Sequence, residues 1–532
     1  MQTYVGADLN SAERAVLERY FTSIDGPVAA LINLPDATKA ALFARYSRTT
    51  KPLKRVFLDE FYDASGNGAA AETAEVGLDR ASDLFSRVLA DYGDDSVAQL
   101  AGVHVSCEQV SNLLTKLLER GRLMGYLEQS TRYVSYGDKP GGEYRYYRDP
   151  ELLASSHRVR FISAMDGLFD AYNRVVEAVR NMLQAPIPTS DVAARRAARA
   201  AAFDVARGLL PAGTSSNVGI FGSPQAYEQL LMRLRADELP EARHYAELVF
   251  TELKKVIPDF LTRLERPERG GVWVDYRRGR REQLVAAAEH ALQPVIAQAD
   301  GGSAKPEVRL LRWTRDGEDE IVAAALFPYS SVSLGELRQR VQGLSSQRRE
   351  EIFRAALGER RNRRHHPGRE WEACEYEFEV VSDYGAFRDL QRHRMLTIEW
   401  QRLSPALGYE VPPEAEAAGV GDLWGEATEQ AEAAHDVIVR EHAAQAGYLV
   451  TMAHRIRYYT RMNAREAMHL IELRSSPQGH PAYRRVVQEM HRLIRDVAGH
   501  RLVADAMLFV NQEDVHLGRL EAEQRGEVHN RF

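Results

Sequence analysis

Arg392-His393-Arg394-Met395-Leu396-Thr397-Ile398-Glu399-Trp400-Gln401-Arg402-Leu403-Ser404 is the stretch on which the reading of the whole chain turns. Two arginines flank a histidine at the end of an amphipathic segment, Tyr384 to Leu390. Cations so close in sequence repel one another, and a fold holds them together most readily around an anion, with phosphate the usual guest. Alone, the triplet fits a solvated basic turn better. A second, altered copy tips the balance. Arg120-Gly121-Arg122 is followed, five residues on, by Glu128-Gln129-Ser130-Thr131-Arg132, where the later copy has Trp400-Gln401-Arg402-Leu403-Ser404. Ala206 to Pro211 falls near the position of Ala446 to Thr451, and Leu231 to Arg235 matches Leu470 to Arg474. Order and rough spacing agree, so the chain reads as a diverged tandem duplication. Its period is far longer than the ~20–50 residues of a solenoid.

The bulk numbers fit that size. The 532 residues exceed one ordinary domain. A hydrophobic content of 44% and a charged content of 27% are those of a soluble globular protein. A net charge of −7 gives no reason to expect nucleic acid as a partner. Clusters such as Arg277-Arg278-Gly279-Arg280-Arg281 are diluted by acidic residues and read as solvated faces. With only Cys107 and Cys374 there is no disulfide framework and no cysteine-based metal cluster, and a reducing cytoplasm is expected. No metal site, signal peptide or membrane span is expected.

Apolar spacing predicts helices over Ser11–Phe21, Asp36–Tyr46, Leu53–Tyr62, Ala71–Tyr92 and, buried, Val97–Leu118. Turns are expected at Ser65–Gly68 and Gly93–Asp95. Helices follow at Glu151–Leu183, Ser190–Leu210, Pro224–Arg235 and Glu238–Leu264, the last kinked or split at Pro258. A connecting helix, Arg280–Ile296, lies between composition breaks. Val308–Trp313 reads as a strand and Trp371–Val381 as a strand or buried helix. Trp424–Ala444, Met462–Leu473 and Ala482–Ala498 read as helices. The expected organisation is an N-terminal domain (1–265), a connector (266–306) and a C-terminal domain (307–532).

The same blocks resemble the flavin-dependent thymidylate synthases. Their pattern is Arg-His-Arg, five residues, then Glu-x-Ser-x-Arg, with Asn-x-Arg and Leu-x-x-Leu-Arg downstream. The N-terminal half holds the second part intact. The C-terminal half holds the first, together with Asn463-Ala464-Arg465 and Leu470 to Arg474. The resemblance implies a helix-rich α+β fold, present as two copies forming an intrachain pseudo-dimer. It implies a nucleotide-binding set of Glu128, Ser130, Arg132, Arg207, Arg235 and Arg474. It implies a flavin-binding set of Arg392, His393, Arg394, Asn463 and Arg465. Trp400, Arg402 and Ser404 replace the Glu-x-Ser-x-Arg residues in the second copy, and Gly447 or Ala446 stands for the other arginine. Gly121 replaces the histidine in the first copy, and Pro224-Gln225-Ala226 stands in the place of Asn-x-Arg. The usual glutamine three residues before Arg-His-Arg is Leu117 in one half and Asp389 in the other. One half is thus expected to bind substrate and the other cofactor, in a composite site. The implied reaction is reductive methylation of dUMP to dTMP, with FAD, NADPH and methylenetetrahydrofolate and no protein nucleophile. The implied assembly is a homodimer, a pseudo-tetramer of domains. Two alternatives stand beside this: a non-catalytic nucleotide- or flavin-binding homologue, and C5-methylation of another uracil nucleotide.

Overall fold

A computed structural model describes residues 8–46, 49, 51–62, 99–132, 134–292 and 307–513. The helix expected at 71–92 and the turns at 65–68 and 93–95 lie outside these residues. The fold is helix-rich α+β. No helix among the described residues is long and apolar enough to cross a membrane. The chain divides into two compact units. The first comprises Met1–Glu108, Leu117–Glu128 and Asn217–Gln298, and the second Gln109–Lys116, Gln129–Ser216 and Ala299–Phe532.

Three strands, β1 (Val103–Ser111), β2 (Met124–Glu128) and β3 (Ser215–Gly222), form a sheet of order β1-β3-β2. β2 runs antiparallel to β3, with Met124 opposite Gly222 and Glu128 opposite Val218. The buried helix expected over 97–118 is corrected here: Asn112–Leu118 is helical, but β1 precedes it. Val103, Cys107 and Val110 are buried while His104 and Glu108 are exposed, the alternation of a half-buried strand. Gln109 has a φ of 57°, and the alternation shifts by one residue there. The Pro224–Arg235 helix follows β3, and Tyr227 Oη donates to the carbonyls of Val103 (3.0 Å) and Ile220 (3.1 Å), tying helix to sheet. Pro258 separates Pro240–Lys254 from Pro258–Glu265, as its missing N–H requires. The connecting helix runs over Val272–Leu292, earlier than expected.

β4 (Glu307–Trp313), β5 (Glu375–Asp383), β6 (Thr397–Trp400) and β7 (Arg455–Asn463) form an antiparallel sheet of order β4-β5-β7-β6. The segment 371–381 resolves into a short turn of helix, Arg369–Ala373, and then β5. β7 shortens the helix expected from Met462, which starts after Asn463 as Ala464–Arg474. The long helix Arg158–Gln184 packs against both Val192–Ala206 and Gly421–Ile438. A bidentate pair, Arg360–Glu472, lies at the foot of Ala464–Arg474, both bonds 2.6 Å and the side chains 1% and 0% exposed.

The two sheets share a plan. A nine-residue strand runs straight into a seven-residue helix twice, β1 into Asn112–Leu118 and β5 into Tyr384–Leu390. The order β1-β3-β2 reappears as β5-β7-β6. The helix after β3 starts on the side-chain cap Ser223, and that after β7 on Asn463. Within the second unit, two equivalent loops exchange backbone hydrogen bonds reciprocally. Ala212 N–H donates to Val450 (2.8 Å) and Met452 N–H to Leu210 (2.9 Å). Gly213 N–H donates to Tyr448 (2.8 Å) and Ala453 N–H to Gly208 (2.9 Å). Positions 208, 210, 212 and 213 thus trade roles with 448, 450, 452 and 453.

Candidate active site

The second unit gathers charged residues distant in sequence around one carboxylate. Asp389 lies in the Tyr384–Leu390 helix, and its oxygens stand 3.8 Å from Arg207 Nη1 and 3.7 Å from Arg474 Nη1. Burial alone would keep this acid neutral. The charges of Arg207, Arg474, Arg132 and Arg392, in that order of weight, outweigh burial and hold its pKa below the ordinary value. Asp389 is therefore an anion among arginines.

Arg207 follows the Val192–Ala206 helix and is 4% exposed. Its Nη2 is buried and has no hydrogen-bond partner among the described residues. A buried unsatisfied guanidinium nitrogen is costly, and an anion supplied from outside would relieve it. Arg207 also lines a cavity of about 530 Å³, together with Arg132, Asp383, Arg455, His480 and Arg485. The alanine-rich face of Val192–Ala206 forms an apolar side of the same cavity. A volume of this size suits a small ligand.

Arg132 does not present a free fork. Its Nε and Nη2 grip the Asp204 carboxylate at 2.7 and 2.8 Å. Nη2 also donates to the Gln478 carbonyl (3.2 Å), and Nη1 reaches Tyr483 Oη (3.4 Å). Burial works against its charge, but Asp204 overcomes this and raises its pKa. Ser130 Oγ accepts the Arg132 backbone N–H (3.1 Å), which shapes the turn. His480 caps the Pro481–Asp496 helix by accepting the Ala482 N–H (3.3 Å). Burial, with Arg207 and Arg132 adding to it, holds His480 neutral far below its ordinary pKa.

His393 has both ring nitrogens engaged. Arg474 Nε–H donates to Nε2 (3.0 Å), so Nδ1 carries the proton and donates to Glu466 Oε1 (2.9 Å). Burial depresses its pKa, the Glu466 bond opposes this, and Arg474 adds to the depression. Burial would raise Glu466, but bonds from His393 and His469 outweigh it and keep the carboxyl low. The result is a neutral imidazole locked in one tautomer beside an anionic glutamate.

The other sequence-predicted residues fall as follows. Asn463 caps its helix by accepting the Glu466 N–H (2.9 Å). Arg465 Nε donates to the Pro367 carbonyl (2.9 Å). Arg392 is half-buried and Arg394 exposed. Glu128, buried at the end of β2, and Arg235 belong to the first unit. Arg235 forks onto Glu247 (2.7 and 3.0 Å) and lies over the Phe250 ring. Counted from the caps Ser223 and Asn463, Arg235 stands one residue further along its helix than Arg474 does. One residue is about 100° of helix, so the two arginines leave on different sides. The caps also place Ser223-Pro224-Gln225, rather than 224–226, opposite Asn463-Ala464-Arg465. Trp400 packs against Phe387, with ring centroids 5.2 Å apart. Sequence reasoning did not single out Asp204, Glu466, His469 or His480. Only Glu466 had a local signal, adjoining the Asn-x-Arg motif.

A family model described as thymidylate synthase complementing protein matches residues 33–259 and 309–499. A UPF0159 protein of Chlamydia muridarum is 37% identical over 527 residues, 97% of this chain and 98% of that protein. The flavin-dependent thymidylate synthase of Clostridium tetani is 27% identical over 178 residues, 33% of this chain and 67% of that one. Among solved structures, Thymidylate Synthase X from Helicobacter pylori with FAD and dUMP is 19% identical. The match covers 38% of this chain and 99% of that chain, with a TM-score of 0.28. With both segments matched, the chain belongs to the thymidylate synthase complementing protein family, that of the flavin-dependent thymidylate synthases.

Proposed function

We propose that this chain methylates dUMP reductively to dTMP, at a composite site drawing residues from both sequence halves. Arg207 carries the reading. It comes from the first half, stands 3.8 Å from Asp389 of the second, lines a ligand-sized cavity, and has a buried Nη2 with no hydrogen-bond partner among the described residues. A nucleoside monophosphate supplies the missing acceptor. Arg207 and Arg474 bind and orient it, and their charge favours electron density building on the uracil carbonyl oxygens. His393, neutral and tied to Arg474, fixes that arginine's direction.

The donor chemistry of the flavin set fits FAD in part. His393, Asn463 and the Nε of Arg465 are committed to bonds within the chain, and the guanidinium charges of Arg392, Arg394 and Arg465 are of the kind that suits a pyrophosphate. Bound FAD would pass reducing equivalents from NADPH, with methylenetetrahydrofolate providing the carbon. The reciprocal bonds between 208–213 and 448–453 support a tandem duplication and an intrachain pseudo-dimer. The duplicated halves are 1–265 and 307–532, joined by 266–306. Two chains form a homodimer, tested by whether the mass in solution is twice 59.9 kDa. The two reduced, buried cysteines fit a cytoplasmic protein.

A second reading is a non-catalytic nucleotide-binding homologue. Asp204 already fills the Arg132 fork, and Asp389 already sits between Arg207 and Arg474. Purified protein separates the two. The enzyme reading expects FAD uptake, bleaching by NADPH that requires dUMP, and dTMP formed when methylenetetrahydrofolate is added. Nucleotide binding without flavin uptake or turnover selects the second reading. Binding of neither sinks both.

A further inference from the structure

We propose that the first unit holds a separate binding site for a nucleoside di- or triphosphate, roofed by the Val272–Leu292 helix. This helix lies between the two segments that the family model matches, 33–259 and 309–499. It packs on the Pro224–Arg235 helix, and the two border a cavity of about 740 Å³. Arg120, Arg233, Arg263, Arg277, Arg280 and Arg281 line it, against two carboxylates, Glu228 and Asp237. Both carboxylates already have partners, and Asp237 also feels the Arg281 charge. Glu228 is engaged by Arg263 at 2.9 Å, and Asp237 accepts the Leu239 N–H at 2.9 Å.

Arg233 marks the depth of the site. Its Nε and Nη2 are buried without a hydrogen-bond partner among the described residues. Burial, aided by the charges of Arg120 and Arg277, depresses its pKa, although Tyr126 opposes this. A buried cation with unmet donors, among like charges, is a costly arrangement that an anion relieves. The neighbours are already oriented: Arg277 Nη2 donates to Gln229 Oε1 (2.9 Å), and Arg281 to the Ala236 carbonyl. One phosphate occupies two or three guanidiniums, so the arginines besides Arg263, which Glu228 engages, match a chain of phosphates.

The ring preference comes from the same helix. Trp273 and Tyr276 stand one turn apart, both line the cavity, and Tyr276 is 70% exposed. Exposed aromatic faces at the mouth of a cationic cavity suit a stacked base. None of these residues belongs to the Arg207 cluster, so the inference stands apart from the proposed reaction.

The test uses the full chain at physiological ionic strength, titrated calorimetrically with ATP and with inorganic tripolyphosphate. Both should bind saturably. Paired Arg277→Gln and Arg280→Gln substitutions, on a helix that is half-buried or exposed at those positions, should weaken both by about tenfold or more. Trp273→Ala should weaken ATP several-fold and leave tripolyphosphate within about twofold. Arg207→Gln should change neither, which separates this site from the proposed substrate site. Arg233→Gln should also abolish binding, and far-ultraviolet circular dichroism shows whether that variant is folded. The proposal is overturned if the folded wild-type chain binds neither anion, or if the paired variant binds both as well as wild type. It is also overturned if a single-stranded oligonucleotide binds more tightly than ATP, which would make the cavity part of a nucleic-acid groove.

Discussion

The helices Pro224–Arg235 and Ala464–Arg474 start alike and end differently. Each follows a sheet strand and begins on a side-chain cap, Ser223 in one case and Asn463 in the other. Nine residues past the cap, one has buried Met232 and the other Glu472, clamped by Arg360. At the far end Arg474 joins His393 and Asp389, whereas Arg235 pairs with the exposed Glu247. Similar helices thus carry different work because a few positions changed polarity and one arginine changed phase by a residue. An apolar turn needs only volume, but a buried charge needs its partner in place.

The largest expected effect tests that last contrast. Glu472→Ala strands the Arg360 guanidinium and should lower unfolding free energy in urea by about 3–5 kcal/mol. Met232→Leu, which conserves volume, should cost less than about 1.5 kcal/mol. Equal losses would erase the distinction between the two helices.

Next comes substrate affinity. Arg207→Ala removes charge-assisted hydrogen bonds, so calorimetry should show dUMP binding weakened by about 10–100-fold. Arg235→Ala should leave it within about twofold, since that arginine is paired at the surface. A strong Arg235 effect would make it part of the nucleotide site.

Asp389 offers a smaller effect of opposite sign. Its carboxylate stands where it competes for Arg207 and Arg474. Asp389→Asn should tighten dUMP binding by up to about tenfold. Weaker binding would make Asp389 a direct contact of the nucleotide.

The smallest effect is on pH dependence. Folding depresses the His393 pKa, so below the ordinary value of 6.5 the unfolded chain binds the proton more readily. The stabilisation is complete above pH 6.5 and is lost as pH falls from there toward the folded value. Glu466 adds a second loss that begins below its ordinary 4.5. Urea midpoints should fall between pH 7 and 5, with a shallower slope for His393→Gln. An unchanged slope would show that His393 does not differ between the folded and unfolded chain.

Much of the fold was legible in local pattern. Pro258 announces its helix break, and the 3.6-residue periodicity of 36–46, 224–235 and 482–498 announces helices that are present. Strands were harder. β1 reads as helix in the sequence because a short apolar run with alternating polar residues satisfies both periods over a few turns. β3, β6 and β7 were not anticipated, since their pairing partners lie far along the chain.

By itself the sequence determined the repeated blocks, the family resemblance and the residue types a phosphate site needs. Tertiary structure decided which of them act together. It gave Arg132 to Asp204, set Asp389 between Arg207 and Arg474, and locked His393 between Arg474 and Glu466. It also turned Arg235 toward Glu247 and placed an arginine-lined cavity beneath Val272–Leu292. The reason is physical. Motif spacing sets which side chains are available, but charge pairing depends on distances of a few ångströms between segments that only folding brings together.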